Sequence, residues 1–114
     1  MNLRRVISVI ALLPAIIAVG SVEAIATPVS IFVFGIGRQS CAHWLSGPNE
    51  ENEGQTWILG FWSGLNDSKL QTVGGNSDSA AIWGEVRKIC MNEPSTVMLD
   101  ATMRVYAQFA ATGK

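Results

Sequence analysis

The first apolar stretch of the chain shows no periodicity. Val6 to Gly20 is a run of 15 residues broken only by Ser8 and Pro14. A second apolar run, Val29 to Ile36, is β-branched and aromatic and ends in Gly35-Ile36-Gly37. It is too short and too glycine-flanked for a helix, so it predicts an extended lead-in lying against a core. Beyond it the spacing turns helical. Ser40 is placed to cap a short helix through Leu45, with Gly47-Pro48 as its stop. Asn49 to Gln55 is polar and acidic and reads as a loop. Thr56 then opens a helix to about Asp67, because Trp57, Ile58, Phe61, Trp62 and Leu65 recur at three- and four-residue spacing.

Gln71 to Ser77 holds Gly74-Gly75 and reads as a flexible turn. Ser77 or Asp78 caps a third helix from about Ser79 to Met91, on which Ile82, Val86, Ile89 and Cys90 share a face bordered by Trp83. Asn92-Glu93-Pro94 is a break, and proline is tolerated at a first helical position because its missing N–H is unpaired there anyway. The last helix is therefore expected from Pro94 to about Ala110, with Met98, Ala101, Thr102, Val105 and Phe109 as its stripe. No strand-like alternation follows the lead-in. The fold class is all-α: a small four-helix domain with an extended N-terminal lead-in.

The amino-terminal pattern adds a destination. Arg4-Arg5, the apolar run and Ala24-Ile25-Ala26 have the layout of an export signal cleaved after Ala26. The run is short for a membrane span, which needs about 20 residues, and Glu23 and Pro28 interrupt a longer one. Residues 1–26 are thus read as a signal peptide and 27–114 as one helical domain, periplasmic or secreted, with no membrane association once mature. A retained anchor is the competing reading.

That domain carries six basic and eight acidic side chains, a net of about −2, with no basic stripe. Nucleic-acid binding has no electrostatic footprint here. A domain of this size buries only about 60–65% of its unfolded surface, so a covalent staple is expected. Cys41 and Cys90 are the only two cysteines. Behind an export signal they read as one disulfide, and closing a loop of that length is worth roughly 4 kcal/mol.

Few residues suggest chemistry. Cys41 and His43 are the residue types of a thiol–imidazole pair, but residues two apart on a helix point to different faces. There is no Cys-x-x-Cys motif. A lone histidine does not make a zinc site. Glu50, Glu51 and Glu53 lie in a stretch with no apolar shield, so they read as solvated rather than as an acid–base pair. No nucleophile elbow, phosphate loop or metal-ligand spacing occurs. The chain is not expected to be an enzyme, and no cofactor or metal is expected. The remaining candidate is the helix bearing Trp57, Gly60, Phe61, Trp62 and Gly64. Two glycines in a helix interior cost about 1 kcal/mol each relative to alanine, which suggests close approach of a neighbouring backbone or a groove for a partner. Of the four tryptophans (Trp44, Trp57, Trp62, Trp83), Trp62 is expected to be the exposed one and the others mainly to fill the core.

Ser40-Cys41-Ala42-His43-Trp44-Leu45, the segment Trp57 to Asn66, and Cys90 with Pro94 four residues on resemble a group of small exported bacterial proteins of uncharacterised function. The layout also resembles the HdeA/HdeB-type periplasmic acid-stress chaperones. That resemblance implies a Cys41–Cys90 bond and action on client proteins. Over the central helix, Gly60-Phe61 and Gly64 are similar to the motif of Rap/Tai-type immunity proteins, which neutralise secreted peptidoglycan-degrading effectors. Ile58 stands where that motif has a cysteine. Both resemblances imply a protein partner or client, bound without catalysis, and they allow a homodimer.

Overall fold

The computed structural model describes Gly20 and Ile31–Lys114. The expected export signal apart from Gly20, its expected cleavage position and the first two residues of the lead-in lie outside the described residues. The rest is an all-α domain of four helices: α1 (Cys41–Trp44), α2 (Pro48–Lys69), α3 (Ser79–Asn92) and α4 (Met98–Thr112). A 3-10 turn, Gly35–Arg38, precedes them, and there is no strand among the described residues.

Helix α1 is one turn long. Ser40 caps it as expected, its hydroxyl accepting from the His43 N–H at 3.2 Å. Its other leading N–H groups are satisfied from a distance: Cys41 N–H donates to the Thr96 carbonyl and Ala42 N–H to that of Pro94, both at 2.8 Å. The segment Pro94–Val97 is therefore not the first turn of the last helix. Its carbonyls are turned toward α1, Val97 forms an isolated antiparallel bridge with Ser40, and Met98 N–H donates to Gln39 O at 3.0 Å. Only beyond that junction does α4 begin. Cys41 and Cys90 are bonded, with Cα atoms 4.8 Å apart, tying α1 to the end of α3.

Helix α2 starts eight residues earlier than expected. Pro48 occupies its first turn, after Gly47 at the N-cap, and the acidic stretch 49–55 is helical. Proline opens a helix as readily as it closes one, and Glu50 and Glu51 in the first turn face the positive end of the helix dipole. The early start also gives Trp44 its seat. The Trp44 indole is fully buried, donates to the Glu51 carbonyl at 3.1 Å, and lies against Gly54, where a Cβ would fall 2.1 Å from Trp44 Cδ1.

The core side of α2 is the row Gly54, Ile58, Trp62. Trp62 is buried, contrary to its expected exposure. Its ring meets Tyr106 and Phe109 edge-on, at 4.9 and 5.3 Å between centroids, and its N–H donates to Val73 O at 2.8 Å. The spacing alone blends two adjacent stripes of α2, one through Ile58 and Trp62 and one through Trp57 and Phe61. The first is the buried one. Helix α3 follows its expected pattern, capped by Asp78 and burying Ile82, Val86 and Cys90. So does α4, which adds Tyr106 to its buried stripe. The turn after α2 is pinned: Gly74, at φ +85°, donates to Lys114 O at 2.8 Å and sits against Trp62.

The two central glycines are not points of close backbone approach. Nothing stands within 4 Å of a Cβ added at Gly60 or Gly64. The lead-in also differs from expectation: Ile36 and Gly37 reach the core, but Ile31, Phe32 and Phe34 do not.

Replacing Gly54 with alanine should therefore lower stability by about 1–3 kcal/mol through overpacking against Trp44. The same change at Gly64 should raise it, by up to about 1 kcal/mol. Urea midpoints of the oxidised protein check both, and a stabilising Gly54→Ala would contradict the packing described. Replacing both cysteines with serine should remove roughly 4 kcal/mol in the same assay.

Candidate functional site

The Trp57–Phe61 stripe of α2 is half-buried at the edge of the core, against which Trp57 packs, and the lead-in crosses beside it. Trp57 and Phe61, one helical turn apart, stack with centroids 4.9 Å apart and planes within 8°. Gly37 packs directly against the Trp57 ring, where a Cβ would overlap the indole at 2.0 Å. Trp57 N–H donates to Phe34 O at 2.9 Å, which fixes the lead-in to the helix. Between these parts lies an open trough of about 520 Å³ lined by Val33, Phe34, Gly35, Trp57, Gly60 and Phe61. Its walls are almost wholly apolar and part of its floor is the bare backbone of Gly60.

The trough continues a larger apolar patch. Phe32 is 66% exposed and Phe34 79% exposed, their rings edge to face at 5.1 Å. Ile31 is 48% exposed. The Arg38 guanidinium lies over the Phe32 ring at 4.9 Å. Across the wall formed by Phe34 and Gly35 is a second, polar basin of about 470 Å³ that includes Arg38, Gln39, His43 and Glu53.

Of the residues singled out from the sequence, Trp57, Gly60 and Phe61 meet at the trough. Trp62 belongs to the core, and Gly64 is exposed one turn further along α2. Phe32, Phe34 and Arg38 are not singled out by the sequence, and Glu53 is read there as a solvated carboxylate. An apolar run of eight residues does signal burial, but its spacing does not show that only its last residues reach the core. The cysteines are joined and fully buried, so His43 has no thiol to act on. Among the described residues, no three histidine, cysteine, aspartate or glutamate side chains gather as metal ligands.

Elsewhere the polar groups serve structure. Tyr106 donates its hydroxyl proton to Asn66 Oδ1 at 2.8 Å, and Asn66 Nδ2 donates to Val73 O at 3.0 Å. Burial pushes the Tyr106 phenol above its ordinary value. Glu51 on α2 takes a bidentate pair from Arg87 on α3, at 2.7 and 3.2 Å. Glu93, just past α3, meets Arg104 on α4 at 2.9 Å. Hydrogen bonds from these arginines hold both carboxyls below the ordinary carboxylate value. The chain matches no family model, no curated protein and no solved structure.

A carboxyl with a lowered folded-state pKa contributes stability above its unfolded value and loses it as pH falls through the folded one. Stability should thus decline below about pH 4.5, the ordinary value for Glu51 and Glu93. The pairs are 29–52% exposed, so salt should weaken the effect. Urea midpoints from neutral pH downward should show wild type and Glu51→Gln converging in acid. A gap that persists unchanged in acid and in high salt would contradict an electrostatic origin.

Proposed function

We propose that the chain is an exported binding protein that holds a protein partner on the apolar face shared by α2 and the lead-in, without catalysis. The observation that carries this reading is the trough floored by Gly60 and flanked by the exposed rings of Phe32 and Phe34. Exposed apolar patches of more than a few hundred Å² are uncommon on monomeric proteins and mark interaction surfaces. Two aromatic side chains at these exposures alone leave on the order of 300 Å² in solvent. The low net charge and the absence of a basic stripe support a protein partner over a nucleic acid.

Two kinds of partner follow from the resemblances drawn above. A single tight partner corresponds to an immunity-like inhibitor, and a defined, preformed trough supports it. A broad set of clients corresponds to an HdeA-like acid-stress chaperone. The bridges Glu51–Arg87 and Glu93–Arg104 support that second reading, because each joins separate elements and both are lost on protonation. The proposed site of action is the periplasm.

A photo-crosslinking residue in place of Gly60, introduced in the native host and activated at neutral and at acid pH, separates the two. One stoichiometric heterologous adduct at neutral pH is the expected result for the single-partner reading. Many adducts appearing only in acid, with suppression of client aggregation in vitro, would select the chaperone reading. If Gly60 captures no other protein at either pH, or no more than the same probe at exposed Gln108 does, the proposed face is wrong.

A further inference from the structure

We infer that the trough and the polar basin beside it together hold one small amphiphile, a single-chain phospholipid with a phosphoethanolamine headgroup. The inference goes beyond the protein-partner reading and shares only the trough with it. Shape is the first argument. The two hollows, of about 520 and 470 Å³, have Phe34 and Gly35 as their common wall. Both volumes fall within the ~300–1,000 Å³ of small-ligand sites. At Gly35 the wall carries no side chain, so a flexible ligand can lie across it. The trough offers Val33, Phe34, Trp57, Phe61 and the bare backbone of Gly60. A polypeptide threaded along such walls would leave its amide groups unpaired, which is costly. An alkyl chain brings none. A partner protein can send side chains into the trough, but an occupant that fills its length is a hydrocarbon chain.

Charge is the second argument. The basin is lined by one cation and one carboxylate, Arg38 and Glu53, together with Gln39 and His43. Arg38 and Glu53 are both exposed, and neither forms an ion pair, with the other or elsewhere, among the described residues. An occupant that answers both must carry a negative and a positive group held apart. A fatty acid answers only Arg38, and an alkylamine only Glu53. Phosphoethanolamine answers both, its phosphate toward Arg38 and its ammonium toward Glu53. The Arg38 guanidinium lies over the Phe32 ring at 4.9 Å. Such stacking leaves the N–H groups at its edge free for a two-pronged phosphate contact. Gln39 and His43 add further hydrogen-bonding groups. The acyl chain then crosses at Gly35 and lies along Trp57 and Phe61.

Calorimetric titration of the oxidised protein tests the assignment. The probe is a medium-chain lysophosphatidylethanolamine below its micelle concentration, with the fatty acid and the alkylamine of equal chain length as comparisons. One phospholipid should bind per chain, about tenfold more tightly than either comparison. Arg38→Glu should weaken the phospholipid and the fatty acid by about tenfold and leave the alkylamine no weaker. Glu53→Gln should weaken the phospholipid and the alkylamine and spare the fatty acid. Gly60→Leu fills the floor, where nothing lies within 4 Å of a Cβ, and should abolish binding of all three. Unchanged far-ultraviolet dichroism will show that the variants are folded. No phospholipid binding at about 100 μM overturns the inference. Equal affinity for the three probes, indifference to the charge variants, or binding that survives Gly60→Leu overturns it too. A charge-sensitive phospholipid complex whose Gly60 crosslinker captures no protein keeps this inference and loses the protein partner. A heterologous Gly60 adduct without phospholipid binding does the reverse.

Discussion

A single helical turn does not persist alone in water, because nucleating it fixes several residues for one hydrogen bond. Helix α1 persists because three independent constraints converge on it. Ser40 and the carbonyls of Pro94 and Thr96 take its leading N–H groups, Cys41 is bonded to α3, and the Trp44 indole is sealed against Gly54 of α2. The rest of the domain is arranged around that anchoring. The loop before α4 is shaped by the hydrogen bonds its carbonyls accept from α1, α2 must begin early enough to present Gly54, and α3 must end with its cysteine beside Cys41. Removing any one constraint leaves the other two holding a turn with little stability of its own.

Helix α2 divides its large apolar side chains between two tasks. Ile58 and Trp62 enter the core, whereas Trp57 and Phe61 form a stack that the lead-in only partly covers. The indole hydrogen bonds make the division definite. Trp44, Trp57 and Trp62 each donate to a carbonyl from a different segment, so each ring ties α2 to another part of the chain. Tryptophan suits this role because one residue supplies a large apolar body and a single polar handle.

Much of this fold is legible in the residues. The caps at Ser40 and Asp78, the stripe from Met98 to Phe109 and the buried face of α3 follow from periodicity and end signals, and two cysteines leave one pairing. What escapes such a reading depends on tertiary partners. Pro48 is a stop and a start signal at once, and only Trp44 packing on Gly54 distinguishes them. Pro94 could have opened α4 had its carbonyl not been bonded to Ala42. Glycines at 54, 60 and 64 look alike in the sequence, yet only the first has a neighbour where its side chain would be. The candidate site was half visible, through Trp57, Gly60 and Phe61. Its lead-in half was hidden because hydrophobicity alone predicts burial, and Phe32 and Phe34 are exposed.

The Cys41–Cys90 bond also sets how the chain carries load. The bond bypasses everything between its two sulfurs, including all of α2 and most of α3. Tension between the lead-in and α4 passes from Cys41 to Cys90 through the bond, and the intervening loop of chain bears none of it. A protease that cuts within that loop leaves two fragments still covalently joined. The part of the trough built on Trp57, Gly60 and Phe61 lies inside this loop, so it is mechanically insulated from both ends of the domain, whereas Val33 and Phe34 lie on the line of tension. Pulling on the chain would thus peel one wall from the trough while leaving the other in place.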